Sequence, residues 1–173
     1  MTTIYDTLII GAGIAGASLG YRLAGQQRVL LLERESQPGY HSTGRSAAMF
    51  MEAYGTPQIQ ALTRASRAFY EAPPQGFCEH PLLEPRGCLY VASVEQRQLL
   101  EQAHAQNLAN GTDVSLLDRD AALALVPSLR AEVLAGAVLE PGAMDLDVHA
   151  LHQGFLRGYR AAGGELRCNA ELA

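Results

Sequence analysis

Gly11, Gly13 and Gly16 stand between an apolar run, Leu8-Ile9-Ile10, and a segment of helical character. Glu33, 20 residues beyond Gly13, closes a second apolar run from Val29 to Leu32. Glycines at these three places do separate jobs: the first permits a sharp turn, the second lets backbone approach a pyrophosphate, and the third lets the helix pack closely on the strand. The helix start at Ile14 and Ala15 aims free N–H groups and the positive end of its dipole at an anion. A carboxylate at Glu33 accepts from both hydroxyls of an adenosine ribose, and its charge disfavours a 2′-phosphate. Strand, glycines, helix, strand and terminal acid in register point to dinucleotide binding. The competing reading is a plain structural turn between two packed strands.

The elements that must position these groups are an α/β unit inside a chain of 173 residues, long enough for one domain and a small second lobe. Its 48% hydrophobic content is enough for a core. The formal charge is −5 and all 13 basic residues are scattered arginines, so no phosphate-tracking surface for nucleic acid is present. The lack of lysine excludes Schiff-base chemistry and the P-loop lysine together. Cys78, Cys88 and Cys168 are odd in number, form no C-x-x-C pair and follow a start without a charged leader, which points to reduced thiols and a cytoplasmic protein. No stretch reaches the roughly 18 apolar residues of a spanning helix, while peripheral membrane contact stays open.

Further along, Gln37-Pro38-Gly39-Tyr40 is turn chemistry, and His41 to Ala48 is a small, polar loop able to touch a ligand. Thr56-Pro57 opens a helix with Ile59, Leu62 and Phe69 on one face, ended by Pro73-Pro74. A strand is expected over 87–92, and Ser93 with Gln96 forms a capping-box pattern before a helix that Asn110-Gly111 stops. Asp118 or Asp120 caps a short helix to Val126, and Ala135 to Leu139 reads as a strand. Asp147 caps a last helix presenting Val148, Leu151, Phe155 and Tyr159 to a core, before a strand from Glu165 to Asn169. If that strand lies beside the second one, the first strand has an open side, and the chain reads as the front part of a larger protein. The expected layout is residues 1–80 for the first part of a dinucleotide-binding domain, 81–146 for a partial substrate domain, and 147–173 for a return to the first.

Gly11 to Gly16, Glu33-Arg34 and above all Gly39-Tyr40-His41-Ser42-Thr43-Gly44-Arg45-Ser46-Ala47-Ala48 resemble the FAD-dependent amine oxidoreductases of the D-amino-acid oxidase superfamily. The nearest likeness is to D-amino-acid dehydrogenases of the D-arginine type. It continues through Ala53 to Pro57, Gly76 to Leu83 and Leu151 to Gly154. The resemblance implies a Rossmann-like FAD-binding parallel sheet with part of a smaller α+β substrate domain. It places the pyrophosphate at Gly11, Gly13, Ile14, Ala15 and Gly16, the ribose at Glu33 beside Arg34, and the isoalloxazine near residues 42–49. Ser42, Thr43, Gly44, Arg45, Ser46, Ala47 and Ala48 would supply amides, hydroxyls and one positive charge without bulk. The bland reading of the same loop is a surface turn with Arg45 solvated.

The implied reaction is hydride transfer from Cα–H of a neutral amino acid to the flavin N5, giving an imino acid that water hydrolyses. Tyr54 matches a family position near the substrate; its bland reading is a loop tyrosine with a wet hydroxyl. Basic-substrate relatives carry histidine at the position of Met49 and glutamate at that of Cys88. These departures point away from D-arginine and toward a neutral or apolar D-amino acid. Competing classes are glycine or sarcosine oxidases, 2-hydroxy-acid dehydrogenases, a nicotinamide-dependent dehydrogenase that has no use for the loop, and a non-catalytic dinucleotide-binding fragment. The 173-residue chain alone is expected to be inactive. His149 and His152 with Asp145 and Asp147 superficially suggest a metal, but Asp147 is better used as a cap, so no metal is expected. His41 and His80 are expected to bond backbone, and Cys78 and Cys88 lack a visible base partner.

Overall fold

The computed structural model describes residues 4–172. In chain order the elements are β1 (Thr7–Ile10), α1 (Ile14–Leu23), β2 (Val29–Leu32), β3 (Met49–Phe50), α2 (Pro57–Glu71), β4 (Leu83–Pro85), β5 (Cys88–Ser93) and α3 (Arg97–Ala109). They continue with β6 (Ser115–Asp118), α4 (Arg119–Leu125), β7 (Leu134–Glu140), β8 (Met144–Leu146), α5 (Val148–Ala161) and β9 (Glu165–Arg167). The chain divides into two compact units, one of residues 1–48, 71–82 and 147–173, the other of 49–70 and 83–146. Residues 49–70 thus group with 83–146, where the sequence reading had kept them with the first strands.

The first unit carries a parallel sheet of order β1-β2-β9. This is the expected α/β arrangement, with the late strand beside the second and β1 outermost. Val29, Leu30 and Leu31 are buried, as a central strand requires. β1 departs from its expected burial on both faces: Ile9 is 7% exposed, whereas Leu8 and Ile10 are 50% and 57% exposed. Its side chains alternate between faces, and β2 is its only strand neighbour among the described residues.

Asp147 caps α5 by accepting from the Ala150 amide at 2.7 Å. Leu151, Phe155 and Tyr159 are buried as the helical spacing predicted, and His152 lies buried among them. A Cβ on Gly154 would collide with the Phe77 ring, and one on Gly158 with the Tyr21 ring. Those rings and Phe155 form a cluster with centroids 5.1–5.9 Å apart. Tyr159 is fully enclosed; its hydroxyl lies 2.9 Å from the Val29 carbonyl of β2 and 2.6 Å from the Glu165 carbonyl of β9.

The second unit holds two antiparallel sheets, β3-β8-β4 and β5-β7-β6. β7 is the spine, with Ala137 and Val138 among its buried residues. The Gln96 side chain accepts from the Ser93 amide at 3.1 Å, Gly111 follows α3 at φ +82°, and Asp118 caps α4. The expected apolar face of α2 is corrected. Ile59 and Leu62 are 47% and 69% exposed, and the buried residue of that helix is Gln60, 2% exposed. Its amide is saturated with hydrogen bonds, which removes the usual cost of burying it.

Tyr159→Phe should lower unfolding stability by about 1 kcal/mol, read as a lower urea midpoint at unchanged slope. An unchanged midpoint would show that the hydroxyl does not tie helix to strands.

Candidate functional site

Gly11 adopts φ +93°, a conformation that favours glycine, and its amide donates to the Leu32 carbonyl at 2.7 Å. A Cβ on Gly16 would collide with the Gly11 carbonyl oxygen, and one on Gly13 would lie 3.1 Å from the Thr43 hydroxyl. Backbone therefore excludes a side chain at Gly16, and one at Gly13 would crowd Thr43.

The peptide between these glycines is held at both ends. Ala12, fully buried, donates its N–H to Glu33 Oε2 at 2.9 Å, and its carbonyl lies 2.8 Å from His152 Nε2. Glu33 Oε1 accepts from the Glu35 amide at 3.1 Å. Each carboxylate oxygen retains acceptor capacity beyond these bonds. Glu33, 8% exposed, also lines a hollow of about 430 Å³ with Gly11, Gly13, Arg34, Ser42 and Thr43.

The loop after β2 folds over this hollow. Gly39, at φ +78°, packs against the His152 ring, and the Gly44 amide closes back on the Gly39 carbonyl at 2.8 Å. Thr43 Oγ1 accepts from the Ile14 amide at 2.9 Å, the first N–H of α1. The hydroxyl proton stays available, so Thr43 can pass the helix terminus's donor character outward by one bond. Ser46 accepts from the Ala48 amide at 3.1 Å, and Arg45 lies over the Tyr40 ring at 5.9 Å. Residues 44–47 are exposed and do not line the hollow. Arg34, Glu35 and His41 form an exposed polar cluster at its rim. His41 thus pairs with side chains where backbone partners were expected.

The residues anticipated for substrate lie in the second unit. Met49 and Tyr54 line one hollow of about 300 Å³ with Phe50, Met51, Ile59, Leu62, Thr63, Ser66, Tyr70 and Leu146. No charged side chain is in its wall. Cys88 does not join them: it opens β5 opposite Glu140, and burial pushes its thiol above the usual range. Glu140 is 1% exposed and accepts from the Glu52 amide, the Ala53 amide and the Tyr90 hydroxyl at 2.5, 3.2 and 3.0 Å. Burial and then the Glu140 charge push the Tyr90 phenol up.

Sequence reasoning passed over His152, Gln60 and Glu140 as working residues. The one available signal was a polar residue amid an apolar pattern, and their partners lie 5 to 140 positions away.

The sequence model of the DAO family, described as FAD dependent oxidoreductase, matches residues 6–173. The chain belongs to this family of FAD-dependent oxidoreductases. It is 26% identical to an L-2-hydroxyglutarate dehydrogenase of Escherichia coli strain K12, over 98% of this chain and 41% of that protein. It is 27% identical to a glycine oxidase of Geobacillus kaustophilus, over 82% of this chain and 40% of that protein. The crystal structure of glycine oxidase from Geobacillus kaustophilus superposes with TM-score 0.84 at 25% identity, covering 99% of this chain and 48% of that one. An L-alpha-glycerophosphate oxidase from Mycoplasma pneumoniae with FAD bound shares the fold, at TM-score 0.85 and 17% identity, over 99% of this chain and 46% of that one. The chain spans less than half the length of these relatives. No helix among the described residues is long and apolar enough to cross a membrane.

Burial, the largest influence, holds the His152 imidazole below its ordinary value of 6.5, with the Ala12 carbonyl opposing. The folded chain therefore binds this proton less readily than the unfolded chain. Its contribution to stability is full above about pH 6.5 and is lost as pH falls through the folded value. The urea midpoint should drop with acidification, and His152→Gln, which keeps a donor for Ala12, should flatten that drop. Parallel acid limbs for the two proteins would rule out His152 as the titrating group.

Proposed function

We propose that the protein oxidises a neutral or apolar D-amino acid through FAD, acting as a D-amino-acid dehydrogenase of the DAO family. The observation that carries the cofactor part is the Ala12 peptide, locked between Glu33 and His152 beside the hollow. The residues present fit the group. A Cβ on Gly13 would crowd the Thr43 hydroxyl at 3.1 Å, and Glu33 is a buried carboxylate with spare acceptor capacity at the hollow's wall.

In this reading Gly11, Gly13, Ile14, Ala15 and Gly16 form the turn that cradles the pyrophosphate at the start of α1, with the Thr43 hydroxyl, which already accepts the Ile14 amide, offering its proton in that amide's place. Glu33 accepts from the ribose hydroxyls, and Arg34 lies beside it at the rim. Ser42, Gly44, Arg45, Ser46, Ala47 and Ala48 form the loop that receives the ring system. FAD, when bound, supplies a hydride acceptor. The substrate loses a Cα hydride and an amine proton, and the resulting imino acid is hydrolysed by water.

Tyr54 presents a phenol that is 62% exposed, able to hydrogen-bond substrate. The wall beside it supports the substrate class: it is lined mainly by apolar residues, with no cation for a second carboxylate and no anion for a guanidinium. That argues against a D-arginine preference. A two-carbon or N-methyl amine, as the glycine oxidase likeness would suggest, leaves the same hollow largely unfilled. The three half-buried, unpaired cysteines support a reducing, cytoplasmic setting.

The whole protein that carries this chain, once purified, should show a flavin band in the visible that bleaches anaerobically with D-leucine or D-methionine and far more slowly with D-arginine, glycine or 2-hydroxyglutarate. Bleaching only by a hydroxy acid would move the assignment to that class, and a flavin that no substrate bleaches would favour a binding fragment. Glu33→Ala should weaken FAD binding by roughly 1.5–3 kcal/mol, about 10- to 150-fold in Kd by fluorescence titration. Unchanged affinity would place the ribose elsewhere.

A further inference from the structure

The segment carrying Tyr54 is held by its backbone on every side while its phenol is left open. Glu140, almost fully buried, takes the amides of Glu52 and Ala53 at 2.5 and 3.2 Å. Gln60, equally enclosed, donates from Nε2 to the carbonyls of Ala53 and Gly55 at 3.1 and 3.3 Å. Each clamp is itself braced. Gln60 Nε2 also reaches Asn107 Oδ1 at 2.9 Å, and its Oε1 accepts from Asn110 Nδ2 at 2.9 Å. Glu140 receives the Tyr90 hydroxyl. The Glu52 carbonyl accepts from Thr112 at 3.4 Å, and the Glu52 carboxylate pairs with Arg67 at 2.7 Å.

Two buried polar side chains fasten this turn in addition to the burial of Ala53 in the core with Ala92, Leu100, Val114 and Val138. The amides of Glu52 and Ala53, the carbonyls of Glu52, Ala53 and Gly55, and the Glu52 side chain are engaged, yet Tyr54 is 62% exposed. Gly55, at φ +85°, makes the reversal, and a Cβ there would lie 3.0 Å from Ile59. Backbone fixed by satisfied buried groups, with one polar aromatic tip projecting, is how a protein preorganises a contact before its ligand arrives.

We infer that Gln60 and Glu140 are positioning residues that set Tyr54 against the substrate. This rests on the amino-acid-oxidising reading above. Neither side chain touches substrate; they act through the Glu52–Gly55 backbone.

The test combines hydrogen exchange with a double-mutant cycle in the holoprotein. Gln60→Met keeps side-chain length and removes the amide, and Glu140→Met does the same for the carboxylate. Both should speed exchange at the amides of residues 52–55 while leaving the glycine turn at 11–16 unchanged. Glu140→Gln, which retains an acceptor, should restore slow exchange. Gln60→Met should lower kcat/KM roughly tenfold or more, and in a Tyr54→Phe background the further loss should fall below about twofold, because the path through the phenol is already cut. If Gln60→Met fails to fold, Asn110→Ala, which loosens Gln60 from one side only, should give a smaller effect in the same direction. Unchanged exchange at 52–55, or fully additive losses with Tyr54→Phe, overturns the inference. A wild-type protein with slow exchange at 52–55 and no turnover would instead refute the assigned reaction and leave the clamp standing.

Discussion

The Ala12 peptide is the fixed point of the first unit. Its N–H ends on Glu33, at the close of β2, and its carbonyl meets His152, in α5. Two elements remote in sequence thereby share one buried peptide plane, and the glycine turn cannot rotate without breaking a charged hydrogen bond or uncovering a buried imidazole. Breaking either is costly because the Ala12 peptide is fully buried and would be left without a partner. The same two residues also shape the hollow: Glu33 lines it, and His152 supports Gly39, the start of the loop that folds over it. The turn's geometry and the hollow's wall are therefore set by the same carboxylate.

Much of this unit was legible from residue order alone. Glycine spacing, a terminal acid and apolar runs are local signals, and each element they announced is present, down to Asp147 at the head of α5. The parallel order β1-β2-β9 followed because a helix between strands dictates the connection. His152 was not legible in its role. Its spacing from His149 resembles a ligand pair, and nothing local reveals that its partner is a carbonyl in the opening turn.

The second unit was harder to read for a physical reason. Its short strands β3, β4, β6 and β8 have two to four residues each, too few for any periodicity to emerge. Hydrophobicity alone points to the wrong face of α2, because Gln60 is enclosed with both ends of its amide hydrogen-bonded. Cys88 was grouped with Met49 and Tyr54 by family likeness, yet β5 carries it opposite Glu140 and outside their hollow.

That reversal on α2 separates two burdens usually borne together. The helix is anchored by Gln60, while Ile59 and Leu62 stand half open along the wall of the hollow. Exchanging either hydrocarbon for another shape removes little buried area, so folding is nearly indifferent to the change. The shape of this wall can thus change at almost no thermodynamic risk, without the fold first becoming sturdier.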